Sequence, residues 1–146
     1  MALYTIGFTK KIAKEFFTLI NENSIDLLVD IRLNNKSQLA GFTKSDDLEY
    51  FLKEICNCAY IHCYEFAPTK EILDAYKRNE IDWEEYEVKY VALMKERGDY
   101  TRFVDRFSSY KGIVLLCSEP TADRCHRRLL AELIRGITPN LFIYHI

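Results

Sequence analysis

The sequence has few residues that break secondary structure, with 5 glycines and 3 prolines among 146 residues. No Pro/Gly-rich linker, internal repeat or low-complexity tract divides it, and this length fits one domain. No apolar run approaches the roughly 18 to 20 residues that a membrane-spanning helix needs. The apolar first residues precede Lys10 and Lys11, the reverse of the order in a secretory signal. We therefore predict a single-domain cytoplasmic protein with no membrane partner.

The chain also lacks an excess of positive charge, since its formal net charge is −2. Nonspecific nucleic-acid binders carry a clear positive excess because phosphate neutralisation supplies most of their affinity, so that class is disfavoured. The charge is nevertheless uneven, because residues 46–87 hold twelve acidic and four basic side chains. The rest of the chain is basic enough for a localised nucleotide or phosphate site. The acidic segment could instead dock a basic partner protein.

Cysteines are few and odd in number, 5 in all, and nothing in the sequence suggests secretion. Reduced thiols are therefore expected for all of them. Cys56 and Cys58 are separated by one residue, whereas structural zinc sites favour two or more between paired cysteines. His62 and Cys63 are adjacent in a predicted strand and should point to opposite faces. We predict no metal site and no cofactor.

The apolar pattern alternates between strands and helices along the chain. Strands are predicted at 2–7, 25–32, 59–64, 113–117 and 141–146. Helices are predicted over about 10–22, 82–97 and 122–135, after Ser45 and Thr69 as N-caps, and briefly around Phe103 to Phe107. Gly136 is expected to end the last helix, with Thr121 or Asp123 as its cap. Repeated crossover helices predict an α/β fold, a single-domain three-layer sandwich around a mainly parallel sheet of about five strands.

Polar residues follow the first two predicted strands, at the carboxyl ends where such sheets bind ligands. Gly7 and Thr9 could offer backbone N–H groups and a hydroxyl to an anion, or they could be a turn glycine and a helix cap. Asp30 and Arg32 share a strand face and could serve a site, or form an ion pair that holds the next loop. That loop, residues 33–43, is interpreted as a lid.

The stretch 117–128 connects a buried strand to an amphipathic helix and is rich in reactive side chains. Its arginines oppose the helix dipole, which suggests that an anion is gathered there, although salt bridges to the acidic segment would also explain them. Cysteine phosphatases place an arginine six positions after the nucleophile, but here that residue is Asp123, and Arg124 follows one later. Phosphatase or sulfur-transfer chemistry is therefore disfavoured, and Cys117 could equally be a small core residue.

Several of these stretches together resemble the bacterial and archaeal family called domain of unknown function 488. The matching stretches are Tyr4–Thr9, Leu28–Arg32, Leu115–Glu119, Cys125–Arg127 and Tyr144–Ile146. Many members have Leu-Gly-Gly after the third strand, whereas this chain has Glu65–Thr69, so it resembles the branch with Ala-Pro there and a later Trp-x-x-Tyr segment. The resemblance implies a compact α/β domain with a shared polar pocket, and no established reaction.

The residues chosen on physical grounds fall in that implied pocket. The predicted catalytic residues are Asp30, Cys117, Glu119 and His126, and the predicted ligand-binding residues are Gly7, Thr9, Arg32, Cys125 and Arg127. In this hypothesis the arginines bind an anion, a carboxylate acts as general acid–base and His126 moves a proton. A structural role for the Cys-His-Arg triplet is the alternative.

The expected function is binding or processing of a phosphate-bearing ligand, a nucleotide or a nucleic-acid end. A binding module for a nucleotide or modified base without chemistry, and an interaction protein, stay open, as does the oligomeric state.

Overall fold

Five strands form one parallel sheet in the computed structural model, which describes residues 1–36, 41–119 and 122–146. They are β1 (Ala2–Gly7), β2 (Leu27–Asp30), β3 (Ala59–His62), β4 (Gly112–Cys117) and β5 (Phe142–His145). Their spatial order is β3-β2-β4-β1-β5, and every pairing is parallel. The predicted α/β class with a mainly parallel sheet is confirmed.

Six α-helices connect the strands within the described ranges. They are α1 (Ala13–Glu22), α2 (Ser45–Cys56), α3 (Lys70–Lys77), α4 (Trp83–Arg97), α5 (Phe103–Arg106) and α6 (His126–Ile137). Short 3₁₀ turns lie at Gly41–Thr43, Tyr64–Phe66 and Asp99–Arg102. No helix of the described ranges is both long enough and apolar enough to cross a bilayer.

The alternation of side chains along the strands builds two hydrophobic cores, one on each face of the sheet. Ile113 and Leu115 of β4 pack with apolar residues of α4 and α6, whereas Val114 and Leu116 pack with those of α1 and α2. Successive strand residues point to opposite faces, so a buried central strand must be apolar throughout. The three predicted layers are thereby confirmed.

Some helices begin at a different residue from the one predicted, because local backbone conformation sets the helix start. The first helix starts at Ala13 rather than near residue 10, because Lys10 has a left-handed φ of 63°. Thr69 caps α3 as predicted, accepting a hydrogen bond from the Ile72 N–H at 3.2 Å. Lys44, not Ser45, is the N-cap residue of α2.

The last helix also differs from its prediction. It starts at His126 because Cys125 is extended, and it continues through Gly136 to Ile137. Asp123 therefore does not cap it, and Thr121 lies outside the described residues.

The sheet order brings three predicted positions to one edge. Strand β4 lies between β2 and β1, so Cys117, Arg32 and Gly7 lie at the carboxyl ends of neighbouring strands, as predicted. After β2 the chain proceeds to α2 on one face, and after β4 it proceeds to α6 on the other. A crevice forms where neighbouring connections leave in opposite directions, which is where ligands bind in such folds.

Candidate functional site

Cys117, the last residue of β4, is paired with the first residue of α6. Its Sγ lies 3.4 Å from His126 Nδ1, and His126 Nε2 lies 2.9 Å from the Ile31 carbonyl oxygen. A carbonyl can only accept, so Nε2 carries a proton and donates it, which directs Nδ1 to the sulfur. The Tyr90 ring, with its centroid 5.3 Å from that of His126, packs against the imidazole. The arrangement is a thiol beside a base that a third group orients.

The surroundings of this pair favour its charged form. Burial alone would raise the pKa of Cys117, but a hydrogen bond from Cys125 and the positive charges of His126 and Arg127 hold it well below the usual value. Burial alone would likewise lower the pKa of His126, but the Cys117 thiolate raises it. Both shifts favour transfer of the thiol proton to the imidazole.

Arg127 supplies a buried positive charge beside the pair. Its guanidinium Nη1 donates to the Glu119 carbonyl oxygen at 2.6 Å and approaches Cys125 Sγ at 3.8 Å. Its Nε has no hydrogen-bond partner, and none of the ion pairs within the described ranges involves Arg127. A buried cation is costly without an opposite charge, and the charge of Arg127 is one of the causes that lower the pKa of Cys117.

Asp30 and Arg32 form a buried ion pair at the end of β2. Arg32 Nε and Nη2 each donate to a different Asp30 carboxylate oxygen at 2.8 Å. Arg32 Nη2 also donates to the Thr43 carbonyl oxygen at 2.7 Å, which holds the chain beyond the loop. The structural alternative raised for this pair is thus what the geometry shows.

Residues of β3 and of the loop after β2 support this ion pair, and the sequence analysis did not place them among the site residues. The Tyr60 hydroxyl donates to Asp30 at 2.7 Å, and His62 Nε2 donates to the Arg32 carbonyl oxygen at 2.7 Å. Asn35 donates to His62 Nδ1 at 3.0 Å, which completes the network. Tyr60 and His62 are two residues apart at the end of a strand, so their side chains share a face, as those of Asp30 and Arg32 do. This two-residue period was the sequence signal that could have identified them.

A cleft of about 170 Å³ opens above the Cys117–His126 pair. Its charged lining residues are Arg32, Lys77, Arg124 and Glu119, and its aromatic ones are Tyr76, Trp83 and Tyr86. Leu33 and Asn34 of the predicted lid also line it, whereas residues 37–40 of that loop lie outside the described ranges. The sequence analysis assigned these aromatic residues only to helices, because helical spacing does not show which rings reach a cleft.

Three of the predicted ligand-binding residues hold the site together instead of lining the cleft. The Thr9 hydroxyl and backbone N–H both donate to the Ser118 carbonyl oxygen, at 2.5 and 3.1 Å. Gly7 lies directly under the Glu119 carbonyl and the Arg127 guanidinium. Arg127 is the third of these residues. Arg32 lines the cleft and Arg127 does not, although the hypothesis placed both there. Their ligand-binding roles stay predictions.

Cys117, Cys125 and His126 also present metal-ligand atoms to one another. One sulfur or nitrogen atom from each lies within 4.8 Å of the others, and all three residues are buried. Two thiols and an imidazole suit a thiophilic ion, and the Nε2 bond to Ile31 is the contact that an Nδ1 metal ligand makes. The Arg127 guanidinium beside Cys125 opposes a second cation at this point.

Comparison with known families shows which family the chain belongs to. The model of the family described as domain of unknown function DUF488 matches residues 12–134, which is most of the chain. The chain belongs to this family. The match spans α1 to most of α6 and so includes Asp30, Arg32, Cys117 and the start of α6. Searches of curated proteins and of solved structures found no match.

The charged pair predicts an unusual pH profile for alkylation of Cys117. An ordinary thiol is half ionised at about pH 8.5, and its alkylation slows below that pH. We expect the rate of Cys117 alkylation by iodoacetamide to stay at its maximum well below that pH. The pKa of Cys56 is raised by burial to about 11, and those of Cys58 and Cys63 to about 12, so these thiols should react slowly at neutral pH. The measurement is peptide mapping after timed alkylation across pH.

The control for this profile is His126→Gln, which removes the imidazolium. Without that charge, the midpoint of the Cys117 profile should rise by about one pH unit or more. A midpoint near that of a free thiol in both proteins would contradict the charged pair.

Proposed function

We propose that the cleft binds a phosphate-bearing ligand, a nucleotide or the end of a nucleic-acid strand, and that Cys117 reacts with it. The observation that carries this proposal is the lining of the cleft, in which three cationic and three aromatic side chains surround the hydrogen-bonded Cys117–His126 pair. Cations bind phosphate, and aromatic rings stack on bases regardless of their identity. The combination suits a ligand with a ring and a phosphate.

Charge at the mouth of the cleft favours an anion over a neutral ligand. Lys77 and Arg124 are both exposed there, and Glu119 is the acidic residue facing them among the lining residues. Arg32 is held by Asp30 and Thr43, so its guanidinium is fixed in place, and in this proposal Asp30 is a positioning residue. Lys77 and Arg124, rather than Arg32, are therefore the cationic side chains that respond to the ligand.

The volume of the cleft limits what enters it. Pockets for drug-sized ligands measure about 300 to 1,000 Å³, and this cleft measures about 170 Å³. One ring or one phosphoryl group fits inside, with the rest of the ligand at the mouth beside Lys77 and Arg124. A terminal group of a nucleotide or strand has that shape.

The chemistry proposed is nucleophilic displacement. The Cys117 thiolate forms a bond to an electrophilic atom of the ligand, the bond from that atom to its leaving group breaks, and the leaving group takes the proton from His126 Nδ1. The enzyme then holds a neutral imidazole that can activate water to release the product. This chemistry needs a reduced thiol, which is the state expected in the predicted cytoplasmic location.

Binding of adenosine monophosphate, adenosine and inorganic phosphate, measured by calorimetry, tests the ligand class. We expect the nucleotide to bind more tightly than either fragment, and both Lys77→Ala and Arg124→Ala to weaken it about 5- to 10-fold, the scale of an exposed charged contact. Lys53→Ala, an exposed lysine of α2 away from the cleft, should bind as the wild type does.

Two results would count against the proposal. Equal affinities across the wild type and all three variants would place any binding elsewhere. Nucleotide binding that is retained while Cys117 shows ordinary thiol reactivity would favour a binding module without chemistry.

A further inference from the structure

A second thiol lies beside Cys117. Cys125 is the N-cap residue of α6, it is buried, and its Sγ lies within 4.8 Å of Cys117 Sγ. We propose that Cys125 is the resolving thiol of Cys117, so that a hydroperoxide converts the two cysteines into a reversible disulfide that closes the site. The inference rests on the proposed function only in requiring a Cys117 thiolate.

The two thiols are differentiated in the way this reaction needs. Burial and the adjacent Cys117 thiolate raise the pKa of Cys125, while the pKa of Cys117 is held low. Both residues line the cleft, so a small oxidant that enters it meets the two sulfurs together. Oxidant-sensing cysteines are low-pKa thiols beside a second, resolving thiol.

The first step oxidises Cys117. Its thiolate attacks one oxygen of the hydroperoxide, a sulfur–oxygen bond forms and the oxygen–oxygen bond breaks. The departing alkoxide or hydroxide takes the proton of His126 and leaves as alcohol or water. Cys117 is then a sulfenic acid, and His126 is neutral.

The second step closes the disulfide. Cys125 loses its proton to His126 and attacks Cys117 sulfur, so the sulfur–sulfur bond forms as the sulfur–oxygen bond breaks. The hydroxide takes the proton from His126 and leaves as water. Two electrons have moved from the thiols to the peroxide, and a thiol reductant reverses the change by exchange.

Distances and neighbours support this closure. The sulfur atoms must approach from at most 4.8 Å to about 2.05 Å, which side-chain rotation at a helix cap can provide. Arg127 Nη1, 3.8 Å from Cys125 Sγ, stabilises the thiolate that forms during the attack. Burial raises the pKa values of Cys56, Cys58 and Cys63, so they should be bystanders.

The test treats the reduced, chelator-treated full chain with one equivalent of hydrogen peroxide at neutral pH. Intact mass after quenching with N-ethylmaleimide in denaturant should show the loss of two hydrogens, about 2 Da, with three thiols still labelled. Peptide mapping should join Cys117 to Cys125, and dithiothreitol should restore fast alkylation of Cys117. The oxidised form should not react with iodoacetamide at Cys117.

Variants separate this inference from the proposed function. Cys125→Ser should accumulate a dimedone-reactive sulfenic acid at Cys117, whereas Cys63→Ser should form the disulfide as the wild type does. Fast alkylation of Cys117 with no Cys117–Cys125 bond in the wild type would overturn the inference and leave the proposed function standing. Slow alkylation of Cys117 in every protein would overturn both.

A further result would overturn the inference in favour of a metal site. If the purified protein carries one equivalent of zinc, and peroxide still forms no disulfide after the zinc has been removed, the two sulfurs are ligands and not a redox pair.

Discussion

Replacing Gly7 with alanine should destabilise the protein by about 3 kcal/mol or more, because a side chain at this position has no room. A Cβ atom built on Gly7 would lie 1.6 Å from the Glu119 carbonyl oxygen and 2.6 Å from Arg127 Nη1. The first of these is backbone, so the loop after β4 must lift away from β1. Lifting it breaks the contacts of Thr9 with Ser118 and of Arg127 with Glu119. Urea unfolding measures the loss.

The matched control for Gly7→Ala is Gly136→Ala in α6. Apart from its neighbours in α6, no atom of the described residues lies within 4 Å of a Cβ at Gly136, and the residue is helical, so alanine there should stabilise by about 0.5 to 1 kcal/mol. Opposite signs at the two glycines would establish that the loop rests directly on Gly7. A Gly7→Ala protein as stable as the wild type would show that it does not.

Removing the Asp30 carboxylate should cost about 3 to 5 kcal/mol, the effect of leaving a buried charge without its partner. The side chains of Asp30 and Arg32 are 0% and 4% exposed, so water cannot replace the lost contacts. In Asp30→Ala, the Arg32 guanidinium keeps its bond to the Thr43 carbonyl but loses both contacts to a carboxylate. The free energy of unfolding in urea is the measurement.

Two further variants separate the charge from the hydrogen bonds around it. Tyr60→Phe removes one hydroxyl contact to Asp30 and should cost only about 1 kcal/mol. The double variant Asp30→Leu/Arg32→Leu removes both charges and should recover much of the stability lost by Asp30→Ala, because no unpaired charge stays buried. If Asp30→Ala lowers the free energy of unfolding by no more than Tyr60→Phe does, the buried pair is not strongly coupled.

Much of the fold was predictable because its signals are local. Apolar runs and helical periods located the five strands and the main helices, and the length of β4 followed from its continuous apolar sequence. The helix ends were less predictable, since they depend on the left-handed conformation of Lys10 and the extended conformation of Cys125. Such conformations depend on contacts between residues far apart in the chain.

The sequence by itself determined which groups stand at the carboxyl ends of the strands, because strand direction and residue period are properties of the chain alone. Only the tertiary structure decided which of those groups face the cleft and which hold the surrounding loops. Successive residues of a helix point about 100° apart, so in α6 His126 faces Cys117 and the cleft while Arg127 turns under the loop against Gly7. The pairing of β3 with β2 likewise brought Tyr60 and His62 to the Asp30–Arg32 pair. Such contacts depend on long-range packing, which no local pattern encodes.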